Sequence, residues 1–292
     1  MGKEMAASLD LPNVLSSRPT AGAGLLRGLL GKGRPLVMGV LNVTPDSFSD
    51  GGRFLDPAAA VAQAQRLAAE GADILDVGAD SSRPYGNAVA VPLDDERARL
   101  APILPVVVAL GIPVSIDTMK AAIAAWALDA GATIVNDVWG LQRDPDMARV
   151  VAAHDAPVIV MHNRDAADPK IDIVADVTAF FERSLAIAAR AGIARERIVL
   201  DPGIGFGKTP EQSLACIARL DAWRGFGLPL LVGASRKRFI HSVVSSEPAE
   251  RLGGSLAAHL VAVENGAAII RVHDVAATVQ ALAVAAAIRR AR

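Results

Sequence analysis

The chain has 292 residues, 52% of them hydrophobic, and 30 Lys and Arg stand against 31 Asp and Glu for a formal charge of −1. That balance excludes a sequence-wide basic field for nucleic acid or anionic membrane, and no run approaches the ~20 apolar residues of a membrane span. A single cysteine, Cys216, cannot form an internal disulfide; with the polar start at Lys3 and Glu4, it points to a reducing, cytoplasmic setting.

Residues 1–34 read differently from the rest. Ser16, Ser17, Pro19, Gly22 and Gly24 break the pattern, and a basic Gly-rich patch runs from Gly28 to Arg34 with Leu25, Leu26, Leu29 and Leu30 nearby. This is expected to be a loosely ordered arm that lays one short helix on the bottom of the following domain. From Pro35 to the C-terminus one domain is expected. Strands are predicted at 36–41, 73–78, 113–116, 133–135, 158–161, 198–200, 228–232 and 268–272. Ala-rich stretches with helical spacing follow at 57–70, 94–110, 119–130, 144–154, 172–191, 210–222, 251–265 and 274–290. Gly71, Gly111, Gly131 and Gly266 each stand just past a helix, where a left-handed cap is wanted. Eight β-α units in series predict an α/β fold of the (β/α)8 TIM barrel type. A doubly wound sheet would more often carry G-x-G-x-x-G after the first strand, and no such loop follows Leu41.

The apolar runs end in polar residues, which is where a barrel enzyme assembles its site. After strand 1, Asn42 opens a loop of about 14 residues, Asn-Val-Thr-Pro-Asp-Ser-Phe-Ser-Asp-Gly-Gly and onward, unusually long for a compact α/β unit. Asn42 suits a hard cation or a phosphate oxygen and Phe48 an aromatic ring; Pro45, Asp46, Gly51 and Gly52 would equally serve a plain capping loop. After strand 2, Arg83 offers a fork of donors for phosphate or carboxylate, or simply a surface ion pair, and Pro84 offers a flat apolar edge. Asp117 and Asn136 close strands 3 and 4, where a carboxylate needs a ligand, a cation or backbone amides as partner.

Asp201-Pro-Gly-Ile-Gly-Phe-Gly-Lys-Thr ends like a phosphate loop, but Pro202 stands where that motif needs glycine. Asp201 fits better as acceptor of two parallel hydrogen bonds from a 2-amino-pyrimidinone edge; Phe206 is either a pocket wall or a core plug. Ser235 to Lys237 follow strand 7 at a helix start that favours an anion. Arg271 and His273, two apart after strand 8, face the same side, and loops after the last two barrel strands often hold phosphate. Among the five histidines no H-x-x-x-H spacing occurs, which argues against zinc.

Taken together, LNVTPDSFSDGG at 41–52, SRP at 82–84, SIDT at 115–118, NDV at 136–138, DPGIGFGK at 201–208, GASRK at 233–237, GSLAA at 254–258 and RVHDV at 271–275 resemble the dihydropteroate synthase family. The resemblance covers about Pro35 to the end. It implies condensation of 6-hydroxymethyl-7,8-dihydropterin diphosphate with 4-aminobenzoate, giving 7,8-dihydropteroate and diphosphate in folate biosynthesis. It also implies Mg2+, small-molecule substrates as partners, and a homodimer. On this resemblance Asn42 binds the metal or the diphosphate, and Arg271 and His273 hold the diphosphate. Asp117, Asn136, Asp201 and Lys237 line the pterin pocket. Ser82 and Arg83 belong to a mobile second loop, Phe48 and Pro84 wall the aminobenzoate, and Ser235 lies near its carboxylate.

The departures sit in that second loop. Asp80, Ser81, Ser82, Arg83, Pro84 and Tyr85 stand where the family reads E-S-T-R-P-G, so the turn is expected to move to Gly86. Two other readings are set beside the synthase: a pterin-dependent methyltransferase, which has no use for a diphosphate site, and a non-catalytic pterin-binding paralogue, for which Tyr85 is the best support.

Overall fold

The computed structural model describes residues 22–43, 57–80 and 91–291. Phe48, Ser82, Arg83, Pro84 and Tyr85 lie outside these residues. Eight parallel strands close in chain order into a barrel: β1 (Leu36–Asn42), β2 (Ile74–Gly78), β3 (Val114–Asp117), β4 (Ile134–Asp137), β5 (Val158–Met161), β6 (Ile198–Asp201), β7 (Leu230–Val232) and β8 (Ala267–Val272). Around them stand α2 (Pro57–Ala69), α3 (Leu93–Leu100), α4 (Leu104–Val108), α5 (Ala121–Asp129), α6 (Met147–Ala153), α7 (Ile173–Arg190), α8 (Pro210–Ala218), α9 (Arg238–Val243), α10 (Leu252–Glu264) and α11 (Val275–Arg290), with α1 (Ala23–Leu30) preceding β1.

The (β/α)8 expectation holds, and the differences have local causes. Stretch 94–110 splits into α3 and α4 because Pro102 and Pro105 remove amide donors from the middle of the pattern. The short α9 follows β7 at the helix start expected at Ser235 to Lys237, ahead of the longer helical stretch expected at 251–265. Strands 1, 3, 4 and 6 run one or two residues further than hydrophobicity suggested, because the barrel ladder continues past the apolar run. Asn42 pairs with Gly78, Gly78 with Asp117, and Asp117 with Asn136. The polar residues are therefore held by strands, not loops. Gly71, Gly111, Gly131 and Gly266 take φ values of 98, 78, 105 and 105° at the helix ends, as expected from their spacing.

Strand side chains alternate between two apolar shells. Val37, Leu41, Leu75, Val77, Ile116, Val135, Val160, Leu200, Val232 and Ile270 point outward to the helices, with the fully buried Trp223 and Phe181 in the same shell. Leu36, Met38, Ile74, Ile134, Ile159, Val199, Leu231 and Ile269 point inward and fill the barrel. Leu25, Leu26 and Leu29 of α1 join this inner cluster from below. Burial of each such leucine stabilises by roughly 1.5–3 kcal/mol before the cost of ordering is counted. The turn after α1 is tied to β2 through Asp73, which accepts from Lys32 Nζ at 2.5 Å, from Arg34 Nη1 and Nη2 at 2.8 Å, and from the Val37 amide at 2.9 Å.

Candidate active site

Two residues further along the same inward face, about 6.6 Å up the strands, the apolar filling gives way to Asp76, Asp117, Asn136, Asp201 and Arg271. Ile74 is followed by Asp76, Ser115 by Asp117, Ile134 by Asn136, Val199 by Asp201 and Ile269 by Arg271. The polar floor is thus the top layer of the barrel core. Arg271 knits it together: Nε donates to Asp76 Oδ2 at 2.6 Å and Nη2 donates to Asp117 Oδ2 at 2.7 Å. Asn136 Nδ2 donates to the same Asp76 oxygen at 3.1 Å, which turns its amide oxygen away as an acceptor.

Burial pushes the Asp117 carboxyl above the usual carboxylate range; Arg271 pulls it back, and Asp76, Glu96 and Asp80 add repulsion. For Arg271, burial opposes the charge, but Asp76 and Asp117 reverse that and hold the guanidinium protonated. Burial likewise raises Asp201, against the pull of Lys237 and of the Gly203 amide, which donates to Asp201 Oδ1 at 2.8 Å. Lys237, at the N-cap of α9, reaches back toward the floor. Its ammonium donates to the Ile204 carbonyl and lies 4.5 Å from the Phe206 ring centroid. Burial lowers its pKa to about 7, with Asp201 opposing and Arg271 and Lys208 adding to the shift.

Beside the floor, Ser235 and His273 form a corner. The Ser235 hydroxyl lies 3.0 Å from His273 Nδ1 and accepts from the His273 amide at 3.2 Å. Arg236 sits between Ser235 and Lys237 with φ at 59°, locked by its amide to Ser255 Oγ at 2.9 Å, by Nε to Asp274 Oδ2 at 3.0 Å, and by Arg251 Nη1 on its carbonyl at 3.0 Å. Burial, then the charges of Arg271 and Arg236, lowers His273 to about 4, so it stands neutral before any anion arrives. Asn42, half-buried, ends β1 beside Gly78 at the rim. Phe206, which sequence left between wall and plug, is both: it packs with Val138 and Met161 and carries the Lys237 ammonium on its face.

Asp117, Asn136, Asp201, Lys237, Arg271, Ser235 and His273 are therefore brought to one end of the barrel. Arg271, expected at the diphosphate, is bonded to Asp76 and Asp117, two of the three floor carboxylates. Sequence reasoning missed Asp76, fully buried at the centre of the floor. The signal was available: in Ile-Leu-Asp-Val-Gly, alternation places Asp76 inward with Ile74. It also missed the Lys208–His162–Asp176 cluster behind the floor and the Lys120 ammonium that bridges Asp80 and Glu96. A cavity of about 550 Å3, lined by Trp139, Arg143, Arg164, Phe180 and Arg183 among others, opens to the side of the floor and includes none of its residues.

The buried floor and the Ser235–His273 corner beside it stand at the carboxyl ends of the barrel strands, where an enzyme of this fold assembles its site. The model of the family described as "Pterin binding enzyme" matches residues 38–273. The dihydropteroate synthase of Bacillus subtilis is 41% identical over 269 residues, 92% of this chain and 91% of the relative, and the type-2 enzyme of Escherichia coli is 43% identical over 87% and 96%. Among solved structures, the dihydropteroate synthase of Xanthomonas albilineans with 4-aminobenzoic acid superposes with a TM-score of 0.83 at 45% identity, covering 88% of this chain and 93% of that one. The same enzyme in complex with 7,8-dihydropteroate gives 0.80 at 43%, covering 88% and 94%. The chain belongs to the pterin-binding enzymes and, within them, to the dihydropteroate synthase family.

Proposed function

We infer that the protein condenses 6-hydroxymethyl-7,8-dihydropterin diphosphate with 4-aminobenzoate to give 7,8-dihydropteroate and diphosphate. The observation that carries this is the meeting, on one barrel end, of the Asp117–Asn136–Asp201–Lys237 floor with the separate Ser235–His273 corner. The named relatives are synthases, and solved relatives hold 4-aminobenzoic acid and 7,8-dihydropteroate. A methyltransferase would have no use for the corner, and a binding-only role is not favoured by these relatives.

In this reading the 2-amino-pyrimidinone edge of the pterin donates a parallel pair of bonds to Asp201. Asn136 accepts through its amide oxygen, and Asp117, held by Arg271, takes a further ring N–H. Lys237 donates to the ring's acceptors. The diphosphate lies at Ser235 and His273, and its charge favours protonation of His273. The methylene–oxygen bond breaks with its electron pair leaving on the diphosphate. The electron-rich pterin carries the cationic carbon, the lone pair of the aromatic amine closes on it, and the amine releases one proton. No nucleophilic side chain is needed, and burial pushes the Cys216 thiol up to about 11, which keeps it inert.

Mg2+ belongs to the proposal. Among the described residues no group of three or more His, Cys, Asp or Glu is placed to hold a metal. Mg2+ takes one or two protein oxygens and completes its shell from phosphate and water, and Asn42 at the rim would supply such an oxygen. When bound there, Mg2+ would neutralise negative charge on the leaving diphosphate. A homodimer is proposed from the apolar residues left exposed on neighbouring helices: Val243 and Val244 at the end of α9, Leu252 and Val261 on α10, and Val284 and Ile288 on α11. A cytoplasmic location is proposed with it, supported by the reduced, buried Cys216; among the described residues no helix is long and apolar enough to cross a membrane.

The test is direct. The purified protein with the pterin diphosphate, 4-aminobenzoate and Mg2+ is expected to release diphosphate and form dihydropteroate in equal amounts. Tight pterin binding without product would overturn the catalytic reading.

A further inference from the structure

Behind the floor, Lys208 is 2% exposed and none of its bonds is to a carboxylate. An ammonium has three donors, and here they meet the Gly203 carbonyl at 2.9 Å, the Phe206 carbonyl at 3.1 Å and His162 Nδ1 at 2.6 Å. Because Nδ1 accepts, the imidazole carries its proton on Nε2 and donates to Asp176 Oδ2 at 3.0 Å. Asp176 also takes Arg164 Nη1 at 2.9 Å. The loop that Lys208 ties lies hard against the segment after β5. At Gly203, φ is 65° and a Cβ would stand 1.9 Å from the His162 carbonyl oxygen; at Gly207, φ is 54° and a Cβ would stand 2.4 Å from Arg164 Cβ.

An apolar chain would fill the Lys208 space without the cost of burying a charge. The ammonium's distinct contribution is the fixed placement of two loop carbonyls. That loop presents both groups that Lys237 touches, the Ile204 carbonyl and the Phe206 ring. We propose that Lys208, braced by His162 and Asp176, is the positioning residue that seats Lys237 over the pterin floor. The proposal rests on the pterin reading above. Lys208 itself need not touch the substrate; it acts through the loop.

The experiment titrates the full-length protein and its Lys208→Met variant with 6-hydroxymethylpterin, which lacks the diphosphate, at pH values on both sides of neutrality. Inorganic diphosphate with Mg2+ is titrated in parallel. The variant is expected to bind the pterin roughly tenfold more weakly and to keep its diphosphate affinity. The pH midpoint of pterin affinity is also expected to move upward, in part because the Lys208 charge that depresses Lys237 is gone and in part because a slackened loop admits water to Lys237 while Asp201, Asp117 and Arg271 still face it; His162→Phe, which keeps the Lys208 charge, isolates the second cause. His162→Phe, which keeps the ring's edge contact with Phe180 at 4.9 Å, is the second variant; it should move the same two readouts in the same direction and decides the matter if Lys208→Met does not fold. Unchanged pterin affinity and midpoint in a folded variant, with only a lower melting temperature, would overturn the positioning role. Failure of the unsubstituted protein to bind the pterin would overturn the functional reading, and the positioning role with it.

Discussion

Arg271 and Asp117 are bonded across the barrel mouth, Nη2 to Oδ2 at 2.7 Å, from strand eight to strand three. The residue expected to serve the diphosphate thus holds in place one expected to serve the pterin, so the two halves of the proposed site share a member.

Replacement of Arg271 should therefore not be a clean loss of anion handling. Arg271→Ala leaves Asp76 and Asp117 buried without their cation, which costs about 3–5 kcal/mol of stability, and pterin affinity should fall together with diphosphate affinity. Without the guanidinium the Asp117 carboxyl rises further above its unfolded value, so its protonated form favours the fold. The deficit should be smallest in acid and should grow as pH rises through that raised pKa. Chemical unfolding of both proteins at several pH values measures it; a deficit independent of pH would contradict the charge account.

Asp201→Asn tests the floor alone. It removes a charged acceptor while keeping the shape, and pterin binding should weaken by roughly 1.5–3 kcal/mol with the Ser235–His273 corner untouched. Calorimetry with the pterin and, separately, with diphosphate gives the two numbers. Equal pterin affinity in the variant would mean that the heterocycle edge lies elsewhere.

His259 on α10 is buried, and neither of its ring nitrogens has a hydrogen-bond partner among the described residues. Burial lowers its pKa to about 3; His273 and Lys237 reinforce the shift and Asp274 opposes it. The unfolded chain takes up this proton near pH 6.5 and the folded one near 3, so the contribution to stability is whole above 6.5 and is lost as pH falls toward 3. The slope is about 1.4 kcal/mol per pH unit for a fully shifted group. His162 and His273, lowered to about 3 and 4, act with the same sign. His259→Leu should leave stability at neutral pH equal or higher and flatten the acid limb, as read from melting temperatures across that range.

At the opposite end, Asp73 gathers Lys32, Arg34 and the Val37 amide. Burial would raise its pKa, but these partners hold it below the usual carboxylate value. Its contribution is therefore present at neutral pH and lost as acid protonates it. Lys32 and Arg34 are close to half exposed, so Asp73→Asn should cost only about 1–2 kcal/mol. Amide exchange should show the loss concentrated in α1 and β1; a uniform loss over the whole barrel would contradict a local tie.

The barrel was legible in sequence because the strands are apolar runs buried on both faces and four of the helices are followed by a glycine, at 71, 111, 131 and 266, ahead of the next strand. Those signals are local. Asn136, Asp201 and Lys237 were legible for the same reason, since each interrupts or follows an apolar run. What escaped were relations between strands. Alternation turns Asp76 inward with Ile74, but what it meets there shows only once Arg271, 195 positions away, is seen to donate to it. Lys208 read as the end of a failed phosphate loop, because its partners are two carbonyls and a histidine 46 positions earlier. No spacing rule along the chain carries such contacts; they exist only once the strands have closed into a ring.

The inward side chains from Leu36 to Ile269, sealed beneath by Leu25, Leu26 and Leu29 of α1, make the barrel a vessel with one opening. With the barrel filled from below, the layer of Asp117, Asn136 and Asp201 can be reached from the mouth alone. In the proposed reading a ring that lies on this layer is therefore covered by whatever binds after it, which makes the order of arrival a property of the packing beneath.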